Sequence, residues 1–244
     1  MKTIELLLNL MKTPKFFGQE DFLMNDEWKV SILPLFGSHI IFVDDIYKHP
    51  ERVHEFLDEA PIVSLKPPTE DGINGKEFMD GQKYADFRYD PTRSVLFKHI
   101  TNFFKIEDPE PYGTNPISVF NQFRLIDPFD HEPYCWSPHV DNKLNVCIYL
   151  NPDENYTPGT SFYDATELGE EMLHENTEHV LPWKDEKYFV EKLCILSKFN
   201  SLVAFPGQWP HGQTIIDNRW QHKTRFTEVT FFLILINITD VRIP

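Results

Sequence analysis

At 244 residues the chain is long enough to bury a substantial core, and no stretch of it reads as a linker that would split it into two domains. Hydrophobic residues make up 41% and aromatics 14%, phenylalanine being especially frequent, a composition that suits a β-rich core and excludes a disordered chain. The formal charge is −15, and the 23 Lys and Arg form no basic block, so non-specific nucleic-acid binding is not expected, although a nucleotide-sized substrate in a pocket stays open.

In chain order, the N-terminus MKTIELLLNLMKTPKFF carries a short apolar run soon broken by charges and a proline. It lacks a small-residue cleavage site and reads as an amphipathic helix or strand rather than a signal peptide. No run elsewhere is long enough to span a bilayer, so no membrane partner is expected. Residues 1–35 read as an N-terminal extension, and residues 36–110 as a strand with supporting helices. Ile40 to Val43 predicts a strand ended by Asp44 and Asp45. A helix follows, with Pro50 in its first turn and Val53, Phe56 and Leu57 on one face. A second helix is predicted after Pro91, where Leu96, Ile100, Phe103 and Phe104 make an i, i+4, i+7, i+8 stripe. The polar, glycine-containing stretch between the helices reads as loop.

From Pro116 the pattern turns to β. Strands are predicted over Ile117 to Ile126, Leu144 to Leu150, Thr160 to Tyr163 and Leu202 to Phe205, bounded by the turn signals Asp127-Pro128, Asn151-Pro152-Asp153, Pro158-Gly159 and Pro206-Gly207, and over Arg225 to Asn237, the longest, almost continuously apolar in its second half. The acidic stretch 164–198 reads as a lid or inserted loop. Short strands with two helices before them predict a mainly β (α+β) fold, a jelly roll backed by helices, in one domain with its core at 116–240. The cysteines Cys135, Cys147 and Cys194 form no CxxC pair, so neither a disulfide framework nor a cysteine zinc site is expected, and a reducing, cytoplasmic setting is the default.

Four polar signals stand among these β-runs. In a strand, residues i and i+2 share a face, so His139 and Asp141 of His139-Val140-Asp141 can both face a barrel interior. His211 arrives from another strand through Pro206-Gly207-Gln208-Trp209-Pro210. Two histidines and a carboxylate are the set that non-haem Fe(II) enzymes place on one face of the metal, leaving the opposite face open. Chance alone supplies about one H-x-D triplet in a chain of this composition, so order and context carry the case. Arg225 and Thr227 follow the same i, i+2 logic at the start of the last strand. A buried arginine is costly unless an anion satisfies it, and a dicarboxylate would do so bidentately. The alternative is an arginine at the strand end paired with a glutamate such as Glu228.

The segments Asn145-Val146-Cys147-Ile148-Tyr149-Leu150-Asn151 and Gly159-Thr160-Ser161-Phe162, set between the H-x-D and the distal histidine with its R-x-T, resemble the core of the prolyl-hydroxylase-like 2-oxoglutarate/Fe(II) oxygenases. The stretch IIFVDDIYKHPERVHEFL is similar to the opening of small bacterial and phage-encoded members. The resemblance covers roughly Ile40 to Ile236 and implies a double-stranded β-helix. It implies that His139, Asp141 and His211 bind Fe(II), and that Arg225 and Thr227 hold the far carboxylate of 2-oxoglutarate. Tyr149 falls where relatives place a tyrosine on the same carboxylate, its other role being a core aromatic. A further co-substrate contact on the preceding strand falls on Asn121 or on Leu125, and the glycine pair usual before T-x-F is reduced to Pro158-Gly159. With O2 as the oxidant, the resemblance implies hydroxylation of a C–H bond with release of succinate and CO2. The retained Asp141 favours hydroxylation or demethylation over halogenation.

Trp136, Trp209 and Trp220, with Arg219 and His222, lie near the ligands in sequence and either line a substrate mouth or pack the barrel rim. Gln122 and Arg124 either reach the site or point outward. His131, His174 and His179 lack a partner at ligand spacing and read as solvated, and the acceptor patterns Asn155-Tyr156-Thr157 and Asn237-Ile238-Thr239 read as chance without a secretory signal. The expected partner is a small-molecule or peptide substrate; oligomeric state is not legible. Two other classes compete: a jelly-roll binding module without activity, and a cupin-like metalloenzyme that uses no 2-oxo acid.

Overall fold

The structure is a computed structural model that describes residues 17–59, 78–83, 91–104, 117–125, 138–141, 144–152, 157–174, 186–214, 216–217 and 219–232. Strand β1 (Val30–Leu35) and β2 (Ser38–Val43) form a hairpin, and α1 (Pro50–Glu59), β3 (Phe78–Lys83) and α2 (Pro91–Phe103) follow. Then come β4 (Ile117–Leu125), β5 (Leu144–Tyr149), β6 (Thr157–Ala165), α3 (Glu167–His174), β7 (Phe189–Ser197), β8 (Ser201–Pro206), β9 (His211–Gln213), the single turn α4 (Arg219–His222) and β10 (Arg225–Phe232).

The strands make two antiparallel sheets, one ordered β1-β2-β8-β5-β10-β4-β3 and one ordered β7-β6-β9. An isolated bridge between His139 and His211 extends the second sheet beyond β9. The central strands β4, β10, β5 and β8 thus face the His139 segment, β9, β6 and β7. The chain passes from one sheet to the other between β5 and β6, back between β7 and β8, across again to β9 and back to β10. That winding is the jelly roll, or double-stranded β-helix.

Residues of β5 and β8 are buried along their whole length. A strand covered on both faces reads as a continuous apolar run, because its two alternating side-chain sets meet two different cores. Val146, Ile148, Leu202, Ala204 and Phe226 pack under the helices, against Val53 and Leu57 of α1 and Leu96 and Ile100 of α2. Cys147, Tyr149, Val203 and Phe205 face the space between the sheets, with Phe162, Ile195 and Trp209. The i, i+4 pairs Val53/Leu57 and Leu96/Ile100 are the helical stripes that the sequence predicts, extended by buried Phe104.

Three strands lie where the sequence predicts none. The extension expected over residues 1–35 contains β1, which pairs with β2 from Val30↔Val43 to Leu35↔Ser38. Its turn is Phe36-Gly37, both at positive φ (46 and 76), a two-residue hairpin built without the usual Asn-Gly signal. Pro34 is tolerated because β1 is an outermost strand. The stretch expected as loop between the helices contains β3, paired with β4 from Phe78↔Leu125 to Lys83↔Phe120. The stretch 164–198, expected as a lid or inserted loop, supplies α3 and the whole of β7, which pairs along β6. Thr166 starts α3, its hydroxyl accepting the Gly169 N–H at 3.2 Å. Residues 1–16, 175–185 and 233–244, with the expectations that fall on them, lie outside the described residues.

Candidate metal centre

His139 and His211 are exchange partners in the bridge, each N–H donating to the other's carbonyl at 2.9 and 3.0 Å. Residues directly opposed on two strands carry their side chains on the same face, so both imidazoles come from one side of the ladder. Their rings lie 4.5 Å apart, and Phe205 packs edge-on against His211 at 4.8 Å. Asp141 is tied by its own N–H to the Gly207 carbonyl at 2.7 Å, which holds the segment after the bridge against the end of β8. Its Oδ2 stands 3.6 Å from His211 Nε2 and 3.9 Å from His139 Nε2. One ligand atom from each of the three lies within 4.8 Å of the others. Where the sequence places His139 and Asp141 on one strand, the structure has a single bridge at His139, which aligns the two imidazoles directly.

The His211 tautomer follows from its surroundings. Nδ1 lies 2.7 Å from the Trp209 carbonyl, which can only accept, so Nδ1 carries a proton and Nε2 is the ring atom turned toward Asp141. Burial disfavours the Asp141 anion, but His211 and His139 beside it and the Asn145 amide bonded to it prevail, holding its carboxyl down to about 2. An imidazole nitrogen and a carboxylate oxygen facing each other at 3.6 Å are held by positive charge between them, a proton or a metal ion. Asn145, 3% exposed on β5, answers that need in part: its Nδ2 donates to Asp141 Oδ2 at 2.6 Å and to His211 Nε2 at 3.0 Å. A divalent cation about 2.1 Å from each of three donors at right angles holds them roughly 3 Å apart, so a small inward movement of these side chains fits one. His211 is closed off at 6% side-chain exposure, while His139 and Asp141 at 29% and 27% are reached from outside, which leaves access on their side.

Arg225 opens β10, in the sheet opposite His211. Only 7% exposed, it donates from Nη1 to Gln213 Oε1 at 2.8 Å and from Nη2 to the Gly159 carbonyl at 3.1 Å, with its guanidinium 5.9 Å from the Tyr149 ring centre. Glu228, three residues on and therefore on the other face of β10, is buried under the helices and takes the Tyr47 hydroxyl. The alternative of an Arg225–Glu228 strand-end pair gives way to that parity. Tyr149 is buried with its hydroxyl bonded to Thr160 Oγ1 at 2.7 Å. Desolvation raises the Tyr149 hydroxyl above its ordinary range, so it is a neutral donor and acceptor. Thr227 is buried and in register with Tyr149 on one side and with Asn121 on the other. Of Asn121, Gln122, Arg124 and Leu125 the register alone is described, Gln122 standing opposite Phe226 and Phe123 opposite Arg225. Between the two ends of the site, Cys147 is free and buried; burial pushes its thiol up to about 11 against the lowering influence of Arg225, so it presents a neutral wall.

Gly159 makes the cradle possible. A Cβ there would stand 2.9 Å from the Tyr149 ring and hydroxyl and 3.0 Å from the Ile195 carbonyl. Asn145, Gln213 and Gly159 thus join the site without having been singled out from the sequence for these roles. Asn145 and Gly159 lie inside the quoted motifs, and Gln213 follows His211 by two, which places it on the same strand face.

Other candidates pack elsewhere. Trp209 sits between the sheets, edge-on to Phe36 and Phe162, and Trp220 is buried on α4, so both take the packing role rather than lining a mouth. Arg219 forks onto Asp217 at 2.8 to 3.0 Å, and His222 is exposed. Trp136, His131 and His179, the His174 side chain, Cys135 and the two glycosylation patterns (all but Thr157) lie outside the described residues. Among the described residues no helix is long and apolar enough to cross a membrane.

No protein-family model and no curated protein matches the chain. Among solved structures it is similar to HygX from Streptomyces hygroscopicus with nickel, 2-oxoglutarate and hygromycin B bound, at 7% identity over 79% of this chain and 81% of that one, with a TM-score of 0.41. It is also similar to the Fe(II)/α-ketoglutarate-dependent dioxygenase TqaL, at 10% identity over 75% and 73% with a TM-score of 0.39. A third is a Pseudomonas putida prolyl-4-hydroxylase, at 12% identity over 75% and 84% with a TM-score of 0.36.

Proposed function

We propose that the chain is an Fe(II)- and 2-oxoglutarate-dependent oxygenase that hydroxylates a C–H bond of a small-molecule or peptide substrate in a reducing cytoplasm. The observation that carries this reading is the convergence of His139, Asp141 and His211 within 4.8 Å, on the inner face of a jelly roll that also buries Arg225. Bound there, Fe(II) would supply with 2-oxoglutarate and O2 the oxidation that hydroxylates the substrate and releases succinate and CO2.

The chain's own residues do the rest. His139, Asp141 and His211 take one face of the cation, and the Trp209 carbonyl keeps the His211 lone pair directed inward. Arg225 holds the far carboxylate of the co-substrate, with Thr227 and Tyr149 beside it. Neutral Cys147 and the apolar residues between the sheets line the span between the two ends and keep water from it.

Anaerobic addition of Fe(II) and 2-oxoglutarate to metal-free protein tests the reading. A weak visible absorption band from the chelate is expected, followed in air by succinate release. Arg225→Ala should abolish both with 2-oxoglutarate. A metal-loaded protein that shows no band at high concentration would overturn the proposal, and an oxidation indifferent to Arg225→Ala would point instead to a cupin-like enzyme.

A further inference from the structure

The Gln213 amide has one orientation open to it. Arg225 offers donors alone, so the Gln213 atom 2.8 Å from its Nη1 is the carbonyl Oε1. Nε2 is thereby turned away from the guanidinium. That nitrogen is buried, and among the described residues no acceptor meets it. Across the ladder from Gln213 stands Thr160, whose hydroxyl is already engaged by Tyr149. A buried donor without an acceptor is costly, and leucine or methionine would fill similar volume without that cost. The unmet donor marks a place made for an anion or another acceptor.

Its position says which one. Gln213 follows His211 by two residues on β9, so both side chains leave the strand on one face, about 7 Å apart. That span matches the reach of a five-carbon 2-oxo diacid from its metal-binding end to its far carboxylate. A carboxylate has about four lone-pair sites, enough to take Arg225 and a second donor together.

We infer that Gln213 is a positioning and specificity residue, its Oε1 orienting Arg225 while its Nε2 donates to the far carboxylate of the co-substrate. The inference rests on the reading of the triad as an Fe(II) site at which a 2-oxo acid chelates. It assigns to Gln213 the preference for a dicarboxylic over a monocarboxylic 2-oxo acid.

The test titrates Fe(II)-loaded full-length protein, without oxygen, with 2-oxoglutarate and with pyruvate, which chelates alike but has no far carboxylate. Gln213→Leu should weaken 2-oxoglutarate binding roughly tenfold or more while leaving pyruvate and Fe(II) binding within about twofold. Gln213→Glu, which sets a like charge against the ligand, should weaken 2-oxoglutarate at least as much. Gln213→Met keeps the length without the donor and serves should the leucine variant not fold. The inference is overturned if the variants bind 2-oxoglutarate as wild type does, or if pyruvate binding falls in parallel, which a merely structural role would cause. Wild-type protein that binds Fe(II) but neither 2-oxo acid would instead sink the oxygenase reading, and the role of Gln213 with it.

Discussion

Asp141 carries the charge balance of the candidate centre, and its environment makes a test at the scale of one residue. Its carboxyl is held at about 2, below the ordinary 3.8. A depressed carboxyl contributes stability that is complete above about pH 4 and is lost as the pH falls through its folded value. In metal-free protein, Asp141→Asn should therefore lower stability by about 1–2 kcal/mol at pH 5, after discounting for partial exposure. Roughly half that gap should remain at pH 3. Urea midpoints of the two proteins at both pH values check this; a gap that widens on acidification would contradict the local electrostatics. Asp141 and the histidines were legible as residues because ligand chemistry restricts the side-chain types. The Asn145 amide between Asp141 and His211 was not, since an asparagine in a β-run carries no sign of what lies across the barrel.

Among the elements, burial decided what could be read. The strands β5 and β8 are covered on both faces and announce themselves as largely apolar runs closed by Asn or by Pro and Gly. The strands that sequence reasoning missed, β1, β3 and β7, all lie at sheet edges. Their pairing rests on backbone hydrogen bonds that any sequence can make, and outward residues such as Ile32, Glu191 and Lys192 leave no clean alternation. Connections are equally opaque. Asn200, at φ 61, sits in the turn between β7 and β8; its side chain accepts the Tyr47 N–H at 2.8 Å and donates to the Tyr47 carbonyl at 3.0 Å, and its backbone bonds Tyr149 and Ile46. Asparagine tolerates that left-handed backbone better than most residues do. Asn200→Ala loses both side-chain bonds at a buried position and should cost about 2–3 kcal/mol, seen as a lower midpoint in chemical denaturation with an unchanged slope. A change under about 0.5 kcal/mol would show that the clasp adds nothing.

For the whole molecule, a cation at the centre would join segments some 70 residues apart, the His139 loop and β9, and so should stabilise the fold. At a metal concentration about 100 times its Kd the gain is about 2.7 kcal/mol, or roughly 5–10 °C in Tm for a chain of this size. Thermal unfolding with and without Co(II) or Mn(II), a chelator reversing the shift and Asp141→Asn abolishing it, measures the effect. No shift at saturating metal would mean that the three side chains do not act as a ligand set.

The sequence by itself determined the chemistry available: two imidazoles and a carboxylate in strand-like context, a later R-x-T, and apolar runs enough for a helix-backed jelly roll. These were readable because local periodicity and ligand types are properties of neighbouring residues. Which groups complete the site was decided only by the tertiary structure. Strand parity sent Arg225 inward and Glu228 to the helix side, the bridge set His139 opposite His211, and sheet register brought Gln213 and Gly159 to Arg225. Such contacts join residues far apart in the chain, and no local pattern specifies them.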